Sequence, residues 1–345
     1  MKSLIISVFI LTVFSPSAFS QAGVNNIGQR TFHFKDQKRN RPLTTEVWYP
    51  TTDTLKQSDK KFSPFARANT VRDGKLPSTK LPLILLSHGT GGGRLNQEWL
   101  ADTLVKNGFI VAAVDHWGNT YDNKIGIEFA KPWERPQDIS FILTALLNDD
   151  GFKAVIDPDK IGAAGFSFGG YTVIALAGGK LDFEALRSYF KAKPNELNVP
   201  EFPTLSKYLD DSTLLAGAKT YPPLKDNRIK AFLSISPGLG VGFTSNKQMK
   251  DITGAVFIIG SESDSIVPVK TNAYHFHELI KGSEYYVNKG KVGHYVMLPE
   301  AIDEVKKEAP VIFTDNVSVN RHQIHRDVDS LAINFFKKQL QAVGK

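Results

Sequence analysis

No cysteine occurs anywhere in the 345 residues. That excludes disulfides, zinc sites of the cysteine type and any thiol nucleophile, and it leaves the hydrophobic core to hold the fold. Concentrated charge of one sign is missing too. Forty-two Lys and Arg against 35 Asp and Glu give a net charge of +7, spread along the chain with mild clusters only at 35–41 and at Lys60-Lys61. A chain without a basic stripe is not expected to bind nucleic acid. No G-x-x-x-x-G-K-[ST] and no dinucleotide fingerprint is present, and no histidine and carboxylate spacing resembles a catalytic zinc site. No metal or other cofactor is therefore expected. Internal repeats are absent, and beyond the first twenty residues no apolar run is long enough to cross a bilayer, so no stable membrane insertion is expected.

What is present is an ordinary globular composition, 41% hydrophobic and 22% charged. Residues 1–20 stand apart: Lys2, an apolar run over 4–14, then Ala18-Phe19-Ser20 at the spacing of a cleavage site. This reads as a secretory signal peptide cut after Ser20, and no lipobox cysteine accompanies it. The expectation is a periplasmic or secreted protein whose residues 21–345 form one domain.

Residues 31–50 alternate apolar and polar about a turn at 36–40, which predicts a β-hairpin. Residues 51–80 read as a loop with room for a helical turn. Leu81-Pro82-Leu83-Ile84-Leu85-Leu86-Ser87 and the run 108–115 are continuous apolar segments, as strands covered on both faces require, with a helical pattern through Trp99, Leu100 and Leu104 between them. Strand, helix, strand at this spacing implies parallel pairing. Residues 118–132 read as a loop, 136–147 as a helix and 160–164 as a strand. After a helix at 171–177 the rhythm breaks. Residues 178–228 are amphipathic and then proline-rich, as expected of a lid-like helical insertion. Strands at 229–236, 255–259 and 284–287 and helices at 271–280 and 327–340 complete a doubly wound, mainly parallel α/β sheet.

The chemistry centres on Gly165-Phe166-Ser167-Phe168-Gly169, a G-x-S-x-G between strand and helix. In that context the motif is a nucleophile elbow, with glycines where side chains would collide and the serine held clear at a helix N-terminus. A serine hydroxyl needs a base, and the order serine, acid, histidine along the chain selects the partners. Asp264, in Gly260-Ser261-Glu262-Ser263-Asp264, follows a buried strand and is the preferred acid, with Glu262 as its competitor. His294 follows Gly293 just past a strand and is the preferred base. His275 and His277 lie in a helical pattern, and His322 and His325 precede the final helix. The oxyanion requires two backbone N–H donors, and Thr90, in His88-Gly89-Thr90-Gly91-Gly92, and Phe168 are assigned to it. His88 is expected to brace that loop.

Ser87-His88-Gly89, the run from Gly108 to His116, the elbow with Gly170, and the early Pro42-Leu43 and Val47-Trp48-Tyr49-Pro50 together resemble the bacterial dienelactone-hydrolase-like proteins related to platelet-activating factor acetylhydrolases. The resemblance covers most of the chain after residue 20. It implies an α/β-hydrolase fold, no metal, Ser167 as nucleophile, Asp264 as acid, His294 as base, and Thr90 with Phe168 as oxyanion donors. True dienelactone hydrolases use a cysteine that this chain lacks, so ester hydrolysis is implied rather than that named activity. The expected substrate is a small-molecule or lipid ester, of short acyl chain, because Phe166, Phe168 and the insertion's Leu181, Phe183, Leu186, Tyr189 and Phe190 crowd the serine. A peptidase, amidase, thioesterase or long-chain lipase could use the same residues, and a binding protein that has lost catalysis is the alternative of a different class.

Overall fold

The computed structural model describes residues 26–341. The leader reading over 1–20 lies outside the described residues. Nine strands form one sheet: β1 (Asn26–Asp36), β2 (Arg41–Thr51), β3 (Val71–Arg72), β4 (Leu81–Ser87), β5 (Ile110–Val114), β6 (Ile156–Phe166), β7 (Ile229–Ile235), β8 (Ala255–Ser261) and β9 (Glu284–Asn288), in the order β3-β1-β2-β5-β4-β6-β7-β8-β9. From β5 to β9 every neighbouring pair is parallel. The predicted hairpin is β1 and β2, which run antiparallel and join the sheet through β5.

The apolar runs are continuous because helices cover both faces of the sheet. Leu83 and Leu85 of β4 point into one core with Ile142, Leu143, Leu146 and Ile174. Ile84 and Leu86 point into the other with Leu100, Leu104, Val328 and Phe336. Each such side chain, fully withdrawn from water, contributes about 1.5–3 kcal/mol. The helix after the elbow, Phe168–Ala177, is buried at all ten positions, which accounts for its having no polar face.

Three expectations are corrected. The segment 118–132 contains a short helix, Gly126–Ala130. The final helix starts at Arg321, where the Asn320 side chain accepts the Gln323 amide at 3.0 Å, so His322 and His325 lie within its first turns rather than before it. The segment 51–80 carries the edge strand β3, too short to show an alternation.

The insertion 178–228 holds two main helices. The first, Phe183–Ala192, is capped by Asp182, whose carboxylate accepts from the Ala185 amide at 2.9 Å. The second, Ser212–Thr220, is capped in the same way by Asp211. Arg187 donates to the Leu209 carbonyl at 3.0 Å and pairs with Asp210, tying the insertion's two halves together. Trp133 of the main body packs against Phe183 and stacks flat on Tyr221, ring centroids 5.8 and 5.3 Å away. No described helix is long and apolar enough to cross a membrane.

Candidate active site

Every sequence-predicted site residue lies at the carboxyl ends of the parallel strands, where helix N-termini and loops converge. Ser167 follows β6, Asp264 lies three residues past β8, and His294 lies six past β9. β4 and β6 are neighbours, so the loop 88–91 sits directly beside the elbow.

Ser167 has φ +57° and ψ −116°, a conformation that a residue with a side chain adopts only when its surroundings impose it. Those surroundings are identifiable. The Ser167 amide donates to Ile235 O at 2.9 Å, and its carbonyl accepts from Gly238 N at 3.0 Å. A Cβ at Gly165 would lie 2.2 Å from Gly169 O, and one at Gly169 would lie 1.9 Å from Ser87 O. The two motif glycines are therefore demanded by backbone packed against backbone.

The Ser167 hydroxyl donates to His294 Nε2 at 3.0 Å, and His294 Nδ1 donates to Asp264 Oδ2 at 2.7 Å. All three side chains are buried. The other Asp264 oxygen accepts the Ile266 and Val267 amides at 3.0 and 2.8 Å, which fixes the carboxylate. Glu262, the competing acid, turns to the surface and accepts the Gly290 amide at 2.6 Å. The structure thus brings Asp264, and not Glu262, to His294.

The turn carrying His294, His294–Met297, is held from behind by residues whose role sequence reasoning left open. His325 Nε2 donates to Val296 O at 2.7 Å and Trp99 Nε1 to Met297 O at 3.1 Å, while the two rings stack 4.1 Å apart. Burial pushes the His325 imidazole down to about 4, so it stays neutral and donates through one nitrogen. His275 and His277 lie in the helix Ala273–Leu279 and bond to Phe243 O and Ser283. His322 pairs with Glu300.

Thr90 and Phe168 border the same space as Ser167. Among the described residues the Thr90 amide donates to no protein acceptor, and Phe168 opens its helix, where amides have no intrahelical partner. His88 braces the loop as expected: its Nδ1 donates to Gly89 O at 2.7 Å and its Nε2 accepts the His116 amide at 3.2 Å. Burial, with Arg135 and His116 nearby, holds its imidazole well below the ordinary range, consistent with that neutral tautomer.

Beneath the loop lies a buried polar chain that the sequence did not disclose. Ser87 Oγ donates to His116 Nε2 at 2.8 Å, and His116 Nδ1 donates to Asp138 Oδ2 at 3.0 Å. Arg41 donates to both Asp138 oxygens at 2.9 Å. Burial alone would raise the Asp138 carboxyl, but Arg41 and His116 outweigh it and hold it well below the carboxylate range. Ser87 is 1% exposed and does not border the cavity, so this second serine, histidine and aspartate is scaffold. The only sequence signal for it is polar residues, Ser87, His88 and His116, ending two apolar strands.

The cavity in front of Ser167 measures about 660 Å³. Phe168, Phe183, Leu186, Tyr189 and Phe190 line it as expected, whereas Phe166 and Leu181 do not. Phe166 is packed under the His294 ring, centroids 4.7 Å apart, and serves the core. Phe129, from the short helix missed in the sequence, joins the lining. The insertion thus supplies part of the wall of the cavity in front of Ser167.

The sequence matches no protein family and no curated protein. Among solved structures, a ferulic acid esterase from Streptomyces cinnamoneus is similar over 93% of this chain and 92% of its own, with a TM-score of 0.58 and 16% identity. At that identity the likeness is one of fold. The strand order, the mainly parallel sheet and this likeness together define an α/β-hydrolase-type fold.

Proposed function

We propose that this chain hydrolyses carboxylic esters through an acyl-enzyme on Ser167. The observation carrying this reading is the hydrogen-bonded chain Ser167–His294–Asp264, with links of 3.0 and 2.7 Å, opening onto an apolar cavity. Ser167 Oγ attacks the ester carbonyl while His294 Nε2 takes its proton. The carbonyl oxygen, now an oxyanion, accepts from the Thr90 and Phe168 amides. Collapse expels the alcohol, which leaves with the proton from His294. Water, activated by the same imidazole, then releases the acid. Asp264 holds the His294 tautomer and stabilises the imidazolium. The fold likeness to an esterase supports the reaction class, and the dienelactone-hydrolase-like and acetylhydrolase-like motifs point the same way.

A short-acyl preference is the finer reading, supported by Phe168 and by the insertion's Phe183, Leu186 and Phe190 at the serine. A second reading is favoured by the cavity's 660 Å³, well beyond an acetyl group: a bulky apolar or aromatic acyl group, such as the name of the ferulic acid esterase suggests for that protein. The leader-like residues 1–20 support export as the setting. The test is p-nitrophenyl acetate hydrolysis by wild type, Ser167→Ala and His294→Ala. Each single change should remove nearly all turnover, and the double change should remove little more. Near-wild-type rates in folded Ser167→Ala would overturn the proposal.

A further inference from the structure

Arg135 is the one arginine of the buried polar cluster that pairs with no carboxylate among the described residues. Its neighbours Arg39 and Arg41 share Glu128, Glu134 and Asp138 between them. Arg135 is 1% exposed, and its guanidinium is spent on the loop 88–91. Nη1 donates to His88 O, and Nη2 donates to Gly89 O at 3.1 Å and to Asn119 Oδ1 at 2.9 Å. The same Asn119 oxygen accepts the Gly91 amide at 2.9 Å. Groups on both sides of Thr90 are thus clamped by one side chain and its amide partner. Burying a guanidinium with no carboxylate in direct contact is costly, which points to a use beyond packing.

We infer that Arg135 is a positioning residue for hydrolysis at Ser167, one that holds and polarises the Gly89–Thr90 peptide whose N–H receives the oxyanion. The inference rests on the proposed role of Ser167 and Thr90. Gly89 O and the Thr90 N–H belong to the same peptide unit. That oxygen accepts from three donors: the charged Arg135, His88 Nδ1 at 2.7 Å and the Gly92 amide at 3.2 Å. Donors on a peptide oxygen draw electron density from its nitrogen and strengthen the N–H as a donor, most when the donor is charged. The Arg135 guanidinium also lies 4.4 Å from the centre of the Phe168 ring, which packs it against the residue that follows the nucleophile. Burial and Arg41 lower its proton affinity while Asp138 raises it, and a guanidinium in this setting remains protonated. A full negative charge develops on the substrate oxygen only in the transition state, so the effect falls on kcat more than on KM.

The experiment compares wild type, Arg135→Met, Arg135→Lys, Asn119→Ala and Ser167→Ala on p-nitrophenyl acetate, with circular dichroism to establish folding. A trifluoromethyl ketone that forms a tetrahedral oxyanion adduct on serine is measured beside the ester. Folded Arg135→Met should lose about 30-fold or more in kcat with KM held within about threefold, and the ketone should weaken in parallel with kcat/KM. Arg135→Lys, which keeps the charge and loses the fork, should fall between the two. Folded Arg135→Met with kcat within about threefold of wild type, or with its loss confined to KM, overturns the inference. Should Arg135→Met not fold, Arg135→Lys and Asn119→Ala decide: both are expected to lose about fivefold or more in kcat, and wild-type kcat in both overturns it. Turnover by Ser167→Ala would instead defeat the functional reading itself, whatever the Arg135 variants do.

Discussion

Asp264 faces His294 at 2.7 Å, while Glu262, two residues earlier on the same strand-end loop, points outward to the Gly290 amide at 2.6 Å. The two carboxylates therefore separate cleanly in a mutational test. Asp264→Asn leaves the shape intact but favours the wrong His294 tautomer, and kcat should fall by about 10³–10⁴. Glu262→Gln alters a surface turn, and kcat should stay within about threefold. Steady-state kinetics on one ester reads both, and swapped outcomes would move the acid to Glu262.

Chain length is read by a p-nitrophenyl ester series. Each methylene that finds the apolar lining gains about 0.8 kcal/mol, and the gain reverses where the pocket ends. We expect kcat/KM for acetate to butyrate to exceed that for palmitate by about tenfold or more. A profile climbing to palmitate, with activation at a lipid interface, would replace this reading by a lipase one. A methyl ferulate rate above that of methyl butyrate would select the aromatic reading.

The elbow's tightness has its own test. A methyl group at Gly169 would meet Ser87 O at 1.9 Å and His88 O at 2.9 Å, both backbone atoms that cannot swing aside. Gly169→Ala should lower the unfolding free energy by about 3 kcal/mol or displace Ser167 enough to abolish turnover. Urea unfolding alongside kinetics checks this, and a variant normal in both would refute the packing described.

Titration supplies another prediction, away from the site. Burial pushes the Glu98 carboxyl up to about 7, Asp102 to about 6 and Asp329 to about 7, and the nearby Asp102 charge adds to the rise at Glu98 and Asp329. The folded protein holds these protons more tightly than the unfolded chain, whose carboxyls titrate near about 4. Their contribution is fully present below that value and is lost as pH rises through 6 to 7. Asp329→Asn keeps an acceptor for Thr103, which now donates to Asp329 at 2.9 Å, and removes the ionisation. Its Tm should exceed that of wild type by about 2 °C or more at pH 8 and by less at pH 5. An equal or larger gain at pH 5 would contradict the shift.

The centre of the sheet was legible because β4, β5, β7 and β8 are mainly apolar runs, and its hairpin because β1 and β2 alternate about a polar turn. The site was legible because Ser167, Asp264 and His294 each lie just past a parallel strand, so their order along the chain maps onto strand ends at one edge of the sheet. What sequence could not show is what depends on side chains meeting across the fold. Arg135 precedes the helix expected at 136–147, and its role shows only once the loop 88–91 is seen to lie against it. Trp99 and His325 are separated by more than two hundred residues yet stack behind His294. Phe166 and Phe168 are indistinguishable in the motif, but the strand-to-helix turn sends one to the core and the other to the cavity. The edge strand β3 and the helix Gly126–Ala130 are too short to carry a period.

The most direct measurement is covalent labelling of the protein by a fluorophosphonate, with the modified peptide located by mass spectrometry. A single adduct on Ser167 is expected, lost in Ser167→Ala and slowed strongly in His294→Ala, with Ser87 unmodified because it is sealed beneath the loop. Failure of folded wild type to react, or an adduct that persists when Ser167 is replaced, would contradict the assignment of Ser167 as the nucleophile.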